Sequence, residues 1–292
     1  MKYAFFLGCT IPARSRQYEM STRKVAQAFN IELEDIGEFA CCGFPVKAVN
    51  QETALIMAAR NLVLAEEKEL DICAMCSACT SVLTEANHEL KTNREMRDKV
   101  NGRLAEIGVR PFNGTIEVRH FSRILYEDVG LPQIEEKISK RLNGIKFANH
   151  YGCHYLKPSE IFDEFDEPEN PRTLNELIKV TGASVVDYKN YKLCCGGAVL
   201  AIDEKASLAI ANEKLQNIKE AKADAINLIC PFCSVMYDDN QNTIAEIFQQ
   251  SYKIPVLYYP QVLGLALGFE PKELGLHLNK IKTKELLSRL GL

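Results

Sequence analysis

The sequence lacks three features that mark common functional classes. No apolar run approaches the roughly 18 residues that a membrane-spanning helix needs, and the N-terminal apolar run, residues 3–7, is too short for a secretory signal. Lysine and arginine are scattered and the net charge is -4, which disfavours nucleic acid as a partner. No glycine-rich dinucleotide fingerprint follows a predicted strand. We therefore expect a cytoplasmic protein with no membrane span and no flavin or nicotinamide of its own.

Cysteine, by contrast, is abundant. The chain has 11 cysteines among 292 residues. Disulfides explain them poorly, because the cytosol keeps thiols reduced and a core of this size needs no covalent support. We interpret them as metal ligands.

The cysteines belong to an internal repeat of the whole chain. Cys9 and Cys153 lie 144 residues apart, and the two Cys-Cys-Gly motifs at 41–43 and 194–196 lie 153 residues apart. The residues that flank these cysteines agree at the same offsets, which two unrelated α/β units would not do. Each half therefore carries a complete copy of the pattern.

The register of the repeat decides which two of three neighbouring cysteines belong to the repeated pattern. Cys76 and Cys79 match Cys230 and Cys233 at an offset of 154, which continues the offset of 153 before them. Cys73 has no partner in this register, so we interpret it as a small buried hydrophobe. The alternative that Cys73 replaces Cys76 as a ligand remains open.

Each half alternates strand-like and helix-like segments. Short apolar runs at 3–7, 31–36, 116–121, 225–229 and 254–259 predict strands, and Asn50 and Asp203 are predicted to cap equivalent helices. Such alternation predicts an α/β fold with parallel sheets. We expect two similar Rossmann-like domains, residues 1–145 and 146–292, related by the repeat.

Every cysteine group of the repeat follows a predicted strand, and ligands gather at the carboxyl ends of parallel strands. Each half supplies five thiols, more than an ordinary 4Fe-4S cluster or a structural zinc site needs, which favours a multi-iron centre over zinc. Binding of zinc through four of five thiols in one half remains an alternative. The predicted metal ligands are Cys9, Cys41, Cys42, Cys76, Cys79, Cys153, Cys194, Cys195, Cys230 and Cys233.

These motifs resemble a known family. The two cysteine patterns are similar to the paired CCG domains of the B subunit of heterodisulfide reductase, and the stretches FFLGCTIPAR (5–14) and CCGFP (41–45) resemble that protein closely. The resemblance implies a non-cubane 4Fe-4S cluster on five cysteines in each domain. It also implies that the two clusters face each other across the substrate, the mixed disulfide of coenzyme M and coenzyme B.

The same resemblance implies a place in methanogenic energy metabolism. Electrons would arrive from the ferredoxin-like iron–sulfur subunit and the flavin subunit of heterodisulfide reductase, with a hydrogenase or formate dehydrogenase as a further partner. The alternative is a CCG subunit that only transfers electrons in another oxidoreductase, of the lactate, glycolate or thiol:fumarate type. A third possibility is a structural protein with one cluster and one zinc.

Basic residues near the cysteines are candidates for binding the anionic groups of such a substrate. Arg14, Lys47 and Lys157 are predicted to contribute, although each could equally be a solvated surface residue. His154, next to Cys153, is the candidate proton donor, because imidazole titrates near neutral pH. His150 lies in an apolar strand pattern and is interpreted as a core histidine.

The second half has nine extra residues between its first two cysteine groups. Three prolines, at positions 158, 168 and 171, and five acidic residues from Asp163 to Glu169 predict a long exposed loop in this segment, 154–193. We expect the loop to shape one end of the substrate cleft or to contact a partner.

Overall fold

The computed structural model describes residues 1–292 and contains two parallel sheets of four strands each. In the first sheet the order is β2-β1-β3-β4, formed by β1 (Lys2–Phe6), β2 (Glu32–Asp35), β3 (Ile72–Ala74) and β4 (Val118–His120). In the second the order is β6-β5-β7-β8, formed by β5 (Lys146–His150), β6 (Ser184–Val185), β7 (Ala225–Leu228) and β8 (Val256–Tyr258). The predicted α/β class with two similar halves is confirmed.

Helices connect the strands and cover the sheets. Those of the first half are α1 (Thr10–Arg14), α2 (Arg16–Ala28), α3 (Phe44–Lys47), α4 (Gln51–Glu66), α5 (Ser77–Thr92), α6 (Arg94–Glu106), α7 (Phe121–Ile124) and α8 (Leu131–Lys137). Those of the second half are α9 (Thr173–Val180), α10 (Glu204–Glu220), α11 (Pro231–Ser234), α12 (Gln241–Ile247), α13 (Tyr259–Ala266) and α14 (Lys284–Arg289). No helix combines the length and the apolar character that a bilayer span requires.

The two long equivalent helices begin where their capping residues predict. The Asn50 side chain accepts a hydrogen bond of 2.9 Å from the backbone N–H of Thr53, at the start of α4. Asp203 does the same for Ala206 at the start of α10, also at 2.9 Å. Each cap satisfies an N–H that the helix leaves free, and this stabilises the helix start by about 1 kcal/mol.

The halves are joined by reciprocal packing. Helix α2 of the first half packs on α13 of the second, and α9 of the second half packs on α8 of the first. Between the first pair, the rings of Tyr18 and Tyr258 stack with centroids 4.0 Å apart, and the Tyr258 hydroxyl donates to the Ser15 hydroxyl at 3.0 Å. The two halves are therefore joined through helices of both. A division of the chain at residue 145 stays a prediction.

A buried histidine lies between the halves. The Nε2 atom of His120, at the end of β4, lies 3.0 Å from the carbonyl oxygen of Met75 and 3.0 Å from that of Ile229. Its Nδ1 atom accepts a hydrogen bond from the Ser122 N–H at 3.1 Å. Because Nδ1 accepts, Nε2 carries the proton and is shared between the two carbonyls. The neutral ring thus bridges the first half to the second.

Replacing His120 by phenylalanine is expected to lower the free energy of unfolding by roughly 2–4 kcal/mol, because it leaves buried carbonyl groups without this donor. Burial lowers the pKa of His120 to about 4. The unfolded chain binds this proton near pH 6.5, so the stability of the native protein decreases as the pH falls from about 6.5 to about 4. Thermal unfolding across this range measures both effects.

The matched control is His88→Phe, since His88 is exposed on α5. The control should unfold like the native protein. If His120→Phe keeps the full stability and the same dependence on pH as the native protein, the bridging role of His120 is wrong.

Candidate metal sites

The five thiols of the second half converge on one cavity. Three segments carry them to this point: the loop after β5, the loop before α10, and the stretch after β7 that includes α11. Together they line a small cavity of about 30 Å³, and the five residues are Cys153, Cys194, Cys195, Cys230 and Cys233. Neighbouring thiols hydrogen-bond, so that Cys153 and then Cys195 lower the pKa of Cys194 to about 2. Residues distant in sequence thus form a single all-sulfur donor set.

The first half brings its thiols together in the same way. Hydrogen bonds from Cys41 and then from Cys79 lower the pKa of the Cys42 thiol to about 4, and the Cys76 thiol lies beside that of Cys79. The hydrogen bond with Cys42 and burial raise the pKa of Cys41, and the nearby charge of Cys9 adds to this shift. Cys42, Cys76 and Cys79 are buried, whereas Cys9 is exposed.

The two donor sets meet at the interface between the halves. The Sγ atoms of Cys76 and Cys230, equivalent residues of the repeat, lie 4.0 Å apart in the buried interior. The small cavity of the second half is also lined by Phe44 and Ser77 of the first half. The two sites are therefore direct neighbours rather than separate centres at opposite ends of the chain.

The glycine of each Cys-Cys-Gly motif has a specific structural role. Gly43 and Gly196 have φ values of 94° and 83°, in the left-handed region that favours glycine. A Cβ atom would lie 2.8 Å from the carbonyl oxygen of Ala54 in α4, or 2.6 Å from that of Ser207 in α10. Both glycines therefore allow a helix backbone to pass close behind the cysteine pair.

Cys73 lies outside both donor sets. It is fully buried in the middle of β3, where it pairs with Phe5 and Arg119 of the neighbouring strands. Burial alone raises the pKa of its thiol. Its surroundings agree with the interpretation of a small buried hydrophobe.

The predicted anion-binding lysines are engaged by carboxylates. Lys47 forms an ion pair with Glu85, and Lys157 forms one of 2.9 Å with Glu169. Arg14 is exposed and has no carboxylate within ion-pair distance. His154 is half-buried, and its ring meets the edge of the Phe44 ring with centroids 5.0 Å apart. His154 thus faces the first half across the interface.

The extra segment of the second half borders a large acidic cavity. This cavity of about 1110 Å³ begins at Cys153, His154 and Lys157, and carboxylates outnumber cations along its wall. Its acidic residues are Glu85, Glu160, Glu164, Asp166, Glu167 and Glu169. The loop therefore does border an opening next to Cys153, and it supplies mainly negative charge there.

One pair of residues at the second site was not predicted from the sequence. The Nε2 atom of His150 lies 3.2 Å from Sγ of Cys233, and the Nζ atom of Lys214 lies 3.2 Å from Nδ1 of the same ring. Both side chains are buried. Burial lowers the pKa of Lys214 to about 8, although nearby thiols oppose the shift. The available clue in the sequence was Lys214 itself, a lysine next to apolar residues of α10 at the position that the repeat matches with Asn61.

The donor sets fit iron–sulfur clusters. Five thiols per half, without carboxylates among them, form soft all-sulfur sites of the kind that iron–sulfur clusters and zinc prefer. Closely packed thiols at the ends of parallel strands can hold a cluster firmly, while the exposed Cys9 and Cys153 leave an approach from one side. The fold and these sites define a protein of two α/β halves built around thiolate-bound metal centres.

Comparison with known proteins agrees with this class. The model of the cysteine-rich CCG domain family matches residues 3–84 and 147–238. The chain is 39% identical to the B subunit of the ferredoxin:CoB-CoM heterodisulfide reductase of Methanosarcina mazei, over 99% of this chain and 97% of the relative. It is 32% identical to the 8-methylmenaquinol:fumarate reductase membrane anchor subunit of Wolinella succinogenes, over 98% and 99% of the two chains. The chain belongs to the cysteine-rich CCG family that includes the B subunit of heterodisulfide reductase.

A solved structure shares the fold. A crystal structure of a hypothetical protein from Helicobacter pylori superimposes with a TM-score of 0.77 at 14% identity. The superposition covers 96% of this chain and 52% of the other, so this chain spans about half of that protein. At this identity the likeness concerns the fold alone.

Proposed function

We propose that this chain is the catalytic subunit of a heterodisulfide reductase and reduces the mixed disulfide of coenzyme M and coenzyme B to two thiols. The observation that carries the proposal is the meeting of two complete five-thiol sites, with Cys76 and Cys230 only 4.0 Å apart at the interface. A disulfide yields two sulfur atoms on accepting two electrons, so two adjacent soft-metal sites match its chemistry.

The proposed cofactors are two non-cubane 4Fe-4S clusters, one on each set of five cysteines. When bound, the clusters supply one electron each and iron atoms that bind the two product sulfurs. The chain holds the clusters side by side, with the exposed Cys9 and Cys153 at the approach. The proposed proton donor to a product thiolate is His154, next to Cys153.

We further propose that the chain works in a complex. Its relatives are named as subunits, and a ferredoxin-like iron–sulfur subunit together with a flavin subunit would supply the electrons. A hydrogenase or formate dehydrogenase would complete such a system. The chain has no dinucleotide fingerprint, which agrees with electrons arriving from a separate flavin protein.

The second candidate is an electron-transfer subunit of another oxidoreductase. The relative from Wolinella, named as a subunit of a quinol:fumarate reductase, matches nearly the whole chain at 32% identity. In that case both clusters would carry electrons, and no disulfide would be cleaved. Two relatives named as heterodisulfide reductase B subunits are 39% identical over nearly the whole chain, whereas a third relative of that name is 26% identical.

Turnover separates the two candidates. The anaerobically purified chain with its clusters is mixed with a reduced viologen dye and the mixed disulfide, and the thiols released are counted against the dye oxidised. Release of two thiols from each disulfide, with oxidation of two dye molecules, would support the reductase. Reduction of the clusters without release of thiols would assign the chain to electron transfer. The same protein after removal of its iron by a chelator is the control.

The ion pairs of the loop lead to a prediction about substrate affinity. Lys157 and Lys192 both contact Glu169, at 2.9 and 2.6 Å. If Lys157 binds an anionic group of the substrate, Lys157→Met is expected to raise KM by about three- to tenfold, while Glu169→Gln lowers it by freeing both lysines. Iron content should not change in either variant. Steady-state kinetics with the mixed disulfide measures this.

Lys179→Met, on the exposed side of α9, is the control for loss of a positive charge. Equal KM values in the Lys157, Glu169 and Lys179 variants would show that Lys157 does not bind the substrate and is an ordinary solvated surface residue. Arg14→Met and Lys47→Met test the other two proposed anion-binding residues in the same assay.

A further inference from the structure

The environments of the two sites differ in charge, although their cysteines match. In the second half, the interior next to the thiols contains His150 and Lys214. The repeat places Phe6 and Asn61 at the equivalent positions of the first half, at the offsets of 144 and 153 that relate the neighbouring cysteines. All four side chains are buried. One site thus faces an ammonium group and an imidazole, and the other faces an amide and a phenyl ring.

Lys214 is a buried cation without a carboxylate partner. Its side chain is fully buried, and its Nζ atom donates to the carbonyl oxygens of Tyr191, at 2.7 Å, and Leu193. The third N–H donates to Nδ1 of His150 at 3.2 Å. All three donors are satisfied by neutral acceptors. Because an isolated buried charge is costly, its compensating negative charge must lie nearby, and the thiolates of the second site are the available source.

The lysine also determines which nitrogen of His150 carries the proton. An ammonium group can only donate, so Nδ1 must accept and Nε2 must carry the hydrogen. That hydrogen points to Sγ of Cys233, 3.2 Å away. The pair therefore delivers an N–H···S hydrogen bond and a positive charge to the same ligand set.

In the first half, the equivalent residues hold the loop without charge. Asn61 accepts from the backbone N–H of Ala40 at 2.9 Å and donates to the carbonyl of Cys41 at 3.2 Å. It therefore supports the Cys-Cys-Gly loop much as Lys214 supports its counterpart. Phe6 has no polar atom to offer the cluster.

We propose that Lys214 and His150 raise the reduction potential of the second cluster, so that this cluster takes up an electron more readily than it would in a neutral pocket. A reduced cluster carries one more negative charge, and hydrogen bonds and positive charge around the ligand sulfurs stabilise that state. The electron comes from any one-electron donor, and no bond is made or broken. The inference rests on the iron–sulfur sites of the proposed function and concerns positioning residues, since neither side chain reacts.

The test is a redox titration of the anaerobic, cluster-containing protein, followed by electron paramagnetic resonance. Lys214→Met removes the charge and also frees the histidine ring. For one cluster, the ratio of reduced to oxidised form at a fixed potential is expected to fall at least tenfold, which is about 59 mV for one electron. The other cluster should titrate as in the native protein.

His150→Phe is the second variant and reproduces the residue found in the first half. It should shift the potential of the same cluster downward even if Lys214→Met fails to retain iron. Lys205→Met, exposed at the start of α10, removes an equal charge outside the pocket and should leave both potentials unchanged.

Unchanged potentials in His150→Phe, or equal shifts of both clusters, would overturn the inference. The titration needs no disulfide, so its result is independent of turnover. A native protein that is inert towards the mixed disulfide but shows the selective shift would refute the proposed reductase and support the inference. A protein without iron would refute both.

Discussion

Replacing Cys79 by alanine is expected to halve the iron content, from about eight to about four atoms per chain, and to reduce turnover of the mixed disulfide by at least roughly a hundredfold. Cys79 lies beside Cys42 and Cys76, so its loss removes a proposed ligand from the first donor set. In the proposed function, reductive cleavage of a disulfide between the two sites would then lack one of its two electron donors. Iron and sulfide analysis, together with the viologen assay, measures both effects.

Cys73→Ala is the matched control, because Cys73 is equally buried and lies only a few residues earlier, in β3. It should keep both clusters and nearly full activity, with a modest loss of stability. Loss of a cluster in Cys73→Ala, with both retained in Cys79→Ala, would reverse the assignment of ligands. Cys233→Ala should repeat the result of Cys79→Ala in the second half.

Adding one methyl group at Gly196 is expected to have an effect almost as large. A Cβ atom there would lie 2.6 Å from the backbone oxygen of Ser207, and the left-handed φ adds strain of about 1–2 kcal/mol. The backbone at residue 196 and the α10 backbone at Ser207 would both have to move. We therefore expect Gly196→Ala to destabilise the protein by roughly 3 kcal/mol or more and to displace the adjacent cysteine pair. Thermal unfolding and iron analysis measure this. Gly43→Ala should behave in the same way at the first site.

Gly102→Ala provides the contrast. Gly102 lies in α6, where nothing is within 4 Å of an added Cβ atom, and alanine favours a helix over glycine by roughly 0.5–1 kcal/mol. This variant should be as stable as the native protein or slightly more so, with full iron content. If Gly196→Ala and Gly102→Ala prove equally stable, the close approach of α10 is not a constraint on the motif.

Much of the fold follows from the sequence, because the information is local or repeated. Asn50 and Asp203 cap their helices through hydrogen bonds to residues three positions further along, an arrangement that short patterns predict well. The cysteine offsets bring each set of five thiols to the ends of adjacent parallel strands. The register of the repeat alone also excludes Cys73 from the predicted metal ligands, and its position in β3 agrees with that prediction.

The interior surroundings of the second site did not follow from the sequence. The apolar pattern predicts an ordinary core residue at His150 and gives no role to Lys214. Hydrophobic periodicity predicts which residues are buried, but it does not predict which buried polar atoms contact each other. Their contact joins the end of β5 to the middle of α10, 64 residues apart. Such a pairing depends on how helix and strand pack, and only the tertiary structure decides it.

The same distinction holds for charge and for the interface. Local sequence predicts that Lys47 and Lys157 lie near the cysteines, whereas their pairing with Glu85 and Glu169 depends on side chains brought from other segments. The sequence alone determined that there are two sets of five thiols, because residue type and spacing carry ligand chemistry. The tertiary structure decided that the sets adjoin, because the reciprocal packing of α2 on α13 and α9 on α8 turns equivalent strand ends towards each other.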